Sequence, residues 1–319
     1  MHKIDKLDWK ILQVLDWKAR EPMKRIAKTV RSNKDVVAYR IKKLEEKGII
    51  QGYYPVLDMN KLGYHASRFY FDLNEMNDET EKEFIRFLDK DLHAALIFKT
   101  EYHFHRYGIF VWKKSLYDAE DVIIKIKRKI GRILNSYTYS FIHTQKQYPK
   151  DYLFGKKHHD KSITLAPTQK VNYDKEDYKI IKEMAKNARA STMQIAKKTG
   201  IPQTTVSYKI KAMERKKIIR GYRALIDFIK LGYRNYFLEI YLDTNDNMEK
   251  IEAWLEAHAN VVYIQRALGV CDIETEVEMR SKQELHDFLN ELKTKYPNVR
   301  KVLIKSEVYM KLTFLPGED

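Results

Sequence analysis

The sequence contains a single cysteine, Cys271, in 319 residues. That excludes an internal disulfide and any cysteine-based zinc site within one chain, and leaves Cys271 to be read as a packed strand residue. No apolar run approaches the ~20 residues needed to span a membrane, and Met1-His2-Lys3 opens directly onto a charged helix without a signal-peptide pattern. A cytoplasmic protein with no membrane partner is expected. Also missing are a glycine-rich phosphate loop, a nucleophile elbow and a paired-carboxylate motif. His103 and His105 alternate along a strand, and His158 and His159 sit in a lysine-rich stretch, but neither pair comes with Cys, Asp or further His at ligand spacing. The motifs therefore call for no catalytic residue, cofactor or metal.

What the chain does have, it has twice. Residues 37 to 64 read VAYRIKKLEEKGIIQGYYPVLDMNKLGY, and 169 positions later residues 206 to 233 read VSYKIKAMERKKIIRGYRALIDFIKLGY. From Ile4 to Tyr64, 25 of 61 positions are identical to their partners, so the chain is an internal duplication. Its length also suits two or more domains better than one core.

The net charge of +16 is unevenly spread. It is +7 over residues 1–64, +1 over 65–143, +4 over 144–172, +9 over 173–233 and −5 over 234–319. A merely solvated basic surface would not alternate in this way, whereas an electrostatic footprint for phosphate would.

Each copy opens with three short helices. Ile11, Leu12 and Leu15 point inward from the first helix, near Asp8 to Trp17, and are matched by Ile180, Ile181 and Met184. The second helix starts with a capping box at Ser191 and Gln194 in copy 2 and at Pro22 in copy 1. Gly200 supplies a permissive turn into the third helix where copy 1 has Arg31, so the turn at Arg31 should be strained or differently shaped. Val37, Ile41 and Leu44, and likewise Val206, Ile210 and Met213, form one apolar stripe on that third helix. The opposite face fits the major groove of DNA. It presents Asn33, Lys34, Ala38, Tyr39 and Lys42 in copy 1, and Gln203, Thr204, Ser207, Tyr208 and Lys211 in copy 2. Arg40, Lys43, Thr205 and Lys209 complete the candidate DNA-binding set. Gln203 can read an adenine edge through two hydrogen bonds, whereas Asp35 would repel phosphate, so copy 2 should read sequence more strongly. The paired strands Ile50–Tyr54 and Ile219–Arg223, each followed by another apolar stretch, add a wing.

Beyond the wing the period changes to two. Copy 1 shows strands near Ser67–Leu73, Ala95–Glu101, Arg106–Trp112 and Ser136–His143, with helices near Thr80–Lys90 and Leu116–Ile133. Copy 2 shows alternation at Tyr236–Leu242 and Ile273–Met279, helices at about Met248–His258 and Ser281–Lys295, and a last strand near Lys301–Leu312. The fold class is α+β: two tandem copies of a winged helix-turn-helix plus a ferredoxin-like βαββαβ domain. The boundaries are 1–64 and 65–146 for copy 1, a linker at 147–172, and 173–233 and 234–319 for copy 2. The aromatic start of the linker should pack, and the section around Gly155–Lys161 should be mobile.

A winged helix-turn-helix joined to a βαββαβ domain through IIQGYYPVLDMNKLGY or IIRGYRALIDFIKLGY resembles the Lrp/AsnC (feast/famine) family of bacterial and archaeal transcription regulators. The resemblance spans nearly the whole chain twice, omitting roughly residues 147 to 172. It implies double-stranded DNA as partner, read by the third helix, with dimerisation or higher assembly through the α+β domain and modulation there by an amino acid. Members usually carry one copy per chain, so this protein is expected to act as a built-in pseudo-dimer on two dissimilar half-sites, with further homo-oligomers open. The family's glycine and acid between the second and third sheet strands fall on Gly269 and Asp272 in copy 2 and are missing from TEYHFHRYG in copy 1, so Gly269 and Asp272 are the candidate effector residues. A plain turn glycine and an exposed strand acid are the simpler account of them. Siroheme decarboxylases resemble the same architecture, and His103, His105 and Arg106 would be the residues to serve such an enzyme. Sequence-neutral DNA packaging is a third reading, favoured by the charge.

Alternation in copy 2 places Asp272, Glu274, Glu276 and Glu278 on one sheet face with Glu239, where they repel one another unless compensated. The corresponding face of copy 1 carries Arg68, Arg106, Tyr70, Phe110 and Trp112. The expectation is that the first α+β domain pairs with the second, basic face on acidic face.

Overall fold

The computed structural model describes residues 4–100, 106–154, 162–305, 307–312 and 315, with only the backbone of Arg106, Leu116 and 307–312. His103, His105, His158, His159 and the section Gly155–Lys161 lie outside the described residues.

The chain opens with α1 (Lys6–Lys18), α2 (Met23–Val30) and α3 (Lys34–Glu46). Asp5 caps α1 by accepting from Leu7 and Asp8, and Asp8 accepts in return from the Asp5 backbone. Two strands follow, β1 (Ile50–Leu57) and β2 (His65–Leu73), then α4 (Asp78–Lys90), β3 (Leu96–Thr100), β4 (Arg106–Lys113), α5 (Leu116–Ile130) and β5 (Leu134–Gln147). After the short β6 (Ile163–Leu165) the pattern repeats as α6 (Lys175–Lys186), α7 (Thr192–Thr199), α8 (Gln203–Arg215), β7 (Ile219–Ile226), β8 (Arg234–Leu242), α9 (Met248–Ala257), β9 (Val261–Leu268), β10 (Ile273–Met279) and α10 (Lys282–Lys295). The chain then runs through β11 (Val299–Lys305) and β12 (Glu307–Leu312).

Arg31 adopts the left-handed conformation at φ 56, ψ 53, as Gly200 does at φ 73, so the turn keeps its shape in copy 1 and a β-carbon bears the strain. One helix later the roles reverse: Gly48 lies at φ 63 and its counterpart Lys217 at φ 61.

The wing differs from expectation. Among the described residues neither copy pairs its post-helix strand with a neighbour of its own. β1 pairs antiparallel with β7, Tyr54 opposite Arg223, so the two copies share one two-stranded ribbon. Each strand is rich in Val, Ile, Leu and Tyr and too long to leave its ladder open, and the other copy's equivalent segment is its nearest complement.

The α+β domains are shared as well. The remaining ten strands run in the order β11-β8-β10-β9-β5-β2-β4-β3-β12, with β6 on β5. Strand β5, expected to end at His143, continues to Gln147. Its first part pairs with β2 and its second with β9 of the other copy. The expected last strand is divided between two ladders: β11 stays on β8, while β12 pairs with β3. Each copy therefore lends half of its last strand to the other.

Helices cover the outer faces. Phe84, Leu88, Val122 and Ile126 pack on Phe69, Phe71 and Ile109 in copy 1, and Ile251, Trp254, Phe288 and Leu292 pack on Leu238, Ile240 and Val277 in copy 2. The inner faces meet at Phe237, packed with Tyr70 and Phe98.

The helix-turn-helix cores are exchanged too. Ile11, Leu15, Ile26, Ile41 and Leu44 share a cluster with Leu231 and Tyr233 of copy 2, and Ile180, Met184, Ile195 and Ile210 share one with Leu62 and Tyr64 of copy 1. This gives the duplicated KLGY a physical reason: each serves the three helices of the other copy. The linker packs at its start, with Tyr148, Tyr152 and Leu153 all buried.

Candidate nucleic-acid interface

The third helices are held from behind in the same way in both copies. Tyr53 donates to Glu45 at 2.6 Å and Tyr222 to Glu214 at 2.6 Å, tying the end of α3 or α8 to the following strand. Burial, reinforced by the neighbouring carboxylate, pushes both phenols above their usual range, so they stay protonated donors.

Outward from this support, Asn33, Lys34, Tyr39, Lys42 and Lys43 are exposed on α3, and Ala38 is half-buried. Asn33 accepts from the Asp35 N–H at 2.7 Å and so caps α3, which leaves its side chain partly committed to the helix. On α8, Gln203, Thr204, Tyr208 and Lys211 are exposed, while Thr205 and Ser207 are half-buried. Gln203 donates to the Thr192 hydroxyl at 3.2 Å, fixing its amide beside the start of α7. Tyr39 and Tyr208 are 58% and 66% exposed, far more than packing would leave a tyrosine, and each crowns the outer face of its helix.

Two of the candidate DNA contacts do other work. Arg40 pairs with Asp5 at 2.7 Å and Asp8 at 3.5 Å, and Lys209 with Asp174 at 2.5 Å and Asp177 at 3.2 Å. The acids are those of the capping boxes that start α1 and α6, so each cation bolts its third helix to its first. Burial works against the charge of Lys209, but its hydrogen bonds to Asp174 and Asp177 win and raise its pKa to about 12. Counting cations along the helix hid this. The signal was in the sequence as D-x-x-D at both first-helix starts, DKLD and DKED.

Position relative to each other is set by contacts that sequence reading missed. Arg20 donates to the backbone carbonyls of Ala188 and Ala190, and Arg189 donates to the carbonyl of Ala19. Arg20 lies over Tyr222 and Arg189 over Tyr53. Backbone bonds repeat the pattern: Ala19 to Tyr222 and Ala188 to Tyr53, both 2.9 Å, and Asp58 to Ile218 and Asp227 to Ile49, both 2.8 Å. Apart from the bond from Arg20 to Ala190, each of these contacts has its partner 169 residues on, which is an isologous interface written within one chain. The residues that make these contacts are identical in the two copies apart from Ala190, which corresponds to Glu21, so the repeat itself carried the signal.

Salt bridges break the symmetry. Arg68 reaches Glu274 at 2.6 Å and Gln265 at 3.1 Å with both charged groups buried, and stacks on Phe237 at 4.1 Å. Arg223 reaches Asp16 at 2.8 Å, again buried and again across the copies, whereas the counterparts of those two residues are Tyr54 and Ala185. Glu239 pairs with Lys305, and Glu278 with Lys150 of the linker. Asp272 does not join the row: it turns to the strand end and accepts from the Leu242 N–H at 2.7 Å. Gly269, at φ 126, lies so close to β5 that a β-carbon would stand 2.3 Å from the Tyr139 carbonyl oxygen. Both candidate effector residues thus hold strands. Arg106 has no described side chain.

A family model for winged helix-turn-helix DNA-binding matches twice, over residues 4–51 and 174–220, and one for the Lrp/AsnC ligand binding domain matches 235–311. Regulatory protein AsnC of Haemophilus influenzae is 32% identical over 119 residues, spanning 37% of this chain and 79% of that protein. The chain belongs to the Lrp/AsnC family. A second relative, an uncharacterized HTH-type transcriptional regulator of Pyrococcus furiosus, is 33% identical over 117 residues, spanning 36% of this chain and 78% of that protein. Each relative spans about one copy. Over the full chain the fold is similar to the crystal structure of the siroheme decarboxylase NirDL, with a TM-score of 0.62 at 12% identity, covering 96% of this chain and 93% of that one. That likeness shows the duplicated fold. Among the described residues no helix is long and apolar enough to cross a membrane, and no three His, Cys, Asp or Glu side chains gather as metal ligands.

Proposed function

We propose that this Lrp/AsnC-type regulator binds DNA as one chain, with α3 and α8 reading two dissimilar half-sites about one helical turn or a multiple apart. The observation that carries the reading is the reciprocal seam of Arg20, Arg189 and their backbone partners, which supplies within a single chain the isologous pairing that separate subunits would otherwise provide. The helices it holds are unequal: Lys34, Asp35 and Val36 in α3 stand where Gln203, Thr204 and Thr205 stand in α8. Gln203 and Thr204 can hydrogen-bond base edges, while Lys34 offers a point charge to phosphate and Asp35 repels it.

A selection from randomised duplexes tests this. A bipartite motif with unlike halves is expected; a pool that shows no enrichment at binding concentrations would favour sequence-neutral packaging instead. The enzymatic reading rests on fold likeness alone, and the histidines it would use lie outside the described residues. An absorbance shift on adding a tetrapyrrole would revive it. Modulation by an amino acid remains part of the proposal, but with Gly269 and Asp272 holding strands, its site is not assigned to them.

A further inference from the structure

Between the two sheets lies a cavity of about 210 Å³ that both copies and the linker wall. Its apolar side is made by Leu57, Leu96, Phe110, Trp112 and Phe228, and its polar side by Gln147, Glu276 and Glu278 with the cations Arg68, Lys150 and Arg223. An apolar void of ~150 Å³ takes up benzene, so this one has room for an aromatic ring with a short arm.

The polar wall is not balanced. Of the acids facing the inter-sheet space, Glu274, Glu278 and Glu239 are each taken by a cation, from Arg68, Lys150 and Lys305. Among the described residues Glu276 has no cation within 4.0 Å, and the hydrogen bond it receives is a neutral one, from the Asn235 amide. Its backbone belongs to the middle of β10, between Tyr236–Phe237 on one side and Tyr263 on the other, so the surface it keeps opens onto the cavity it lines. Two further acceptor atoms on the same wall, Glu278 Oε2 and Gln147 Oε1, are buried without a hydrogen-bond partner, on side chains only 3% and 7% exposed. Unsatisfied acceptors are costly to bury, and a fold that keeps two of them next to an acid without a cation has a place for a donor-rich group.

We infer that this cavity binds a small primary ammonium compound with an apolar, ring-sized body, its ammonium received by Glu276 with Glu278 and Gln147 and its body by Phe110, Trp112 and Leu96. The cations on the lining oppose the reverse choice: Arg68, Lys150 and Arg223 are engaged with Glu274, Glu278 and Asp16, so a carboxylate ligand would meet Glu276 instead. Burial holds the Glu276 and Glu278 carboxyls above their usual range, a penalty that an ammonium would relieve. Because both copies build the walls, occupancy would stiffen their pairing. The site stands on the cavity alone and does not depend on the DNA-binding proposal.

The probe is 2-phenylethylamine, with phenylacetate and ethylbenzene as matched compounds, titrated calorimetrically into the full-length chain. The amine should bind at least tenfold more tightly than either matched compound. Glu276→Gln should weaken it at least tenfold while the far-ultraviolet spectrum is unchanged. Leu96→Phe, which fills the apolar end without touching the acids, should also weaken it. Equal or tighter uptake of phenylacetate, no uptake of the amine, or amine binding that neither variant alters would each overturn the assignment and leave a cavity that holds water only.

Discussion

At the scale of single residues, the duplication provides its own controls. Arg31 and Lys217 hold left-handed turns that the other copy assigns to Gly200 and Gly48. A β-carbon there costs ~1–2 kcal/mol, and glycine returns part of that through its freer unfolded chain. Arg31→Gly and Lys217→Gly should therefore each stabilise the protein by ~0.5–1 kcal/mol, measured by urea unfolding, while Gly200→Arg should destabilise it. Glu276 offers a second test. Its pKa is raised in the folded state by burial, against the partial help of Arg68 and Lys150. A carboxyl so raised binds its proton more tightly folded than unfolded, so stability is highest below the unfolded value and is lost as pH rises through the folded one. Glu276→Gln should flatten that slope and raise the melting temperature near pH 7 by a few degrees, about the effect of 1 kcal/mol. Glu278, shifted the same way by burial, would supply whatever slope remains.

At the scale of elements, the two third helices divide their residues between support and display. Gln203→Ala should relax discrimination at one base pair by ~1–3 kcal/mol, read from binding to a set of single-substituted duplexes. Lys209→Met should instead loosen α8 from α6, lowering affinity for every sequence alike, because the ion pairs with Asp174 and Asp177 belong to the frame. A sequence-dependent loss from Lys209→Met would move that lysine back among the base readers. The difference shows where reading a sequence stops. Periodicity gives the inner and outer faces of α3 and α8 correctly, since Val37, Ile41, Val206 and Ile210 are all buried. It says nothing about which outer cation a neighbouring helix has claimed. Strand lengths failed for a similar reason. The alternation in Ser136–His143 runs on into Thr144–Gln147, but the partner that keeps those residues in a ladder is β9, some 120 residues away, and no local pattern announces it.

At the scale of the whole molecule, the sequence made the duplication, the fold of each half and the complementary charge of the two sheets legible, and Arg68 meets Glu274 as that charge implied. The exchange itself was not legible. That β1 would pair with β7, and β12 with β3, follows from closing ladders between copies, which the sequence of either copy alone leaves open. The buried Arg68–Glu274 pair now holds the unlike halves together. Arg68→Met should cost ~3–5 kcal/mol by stranding Glu274, and adding Glu274→Leu should recover much of it, since an apolar pair of similar volume often replaces a buried ion pair without loss. If the double variant were as unstable as the single one, the pair would be specifying the fold beyond its own energy.

The central claim is that one chain is a complete DNA-reading unit with two unlike readers. Its most direct test is the stoichiometry and footprint of the full-length protein on its selected duplex, at protein concentrations well above Kd. The account predicts saturation at one chain per duplex, with two protected stretches of dissimilar sequence about one helical turn or a multiple apart. Saturation at two chains on a palindromic site would contradict it.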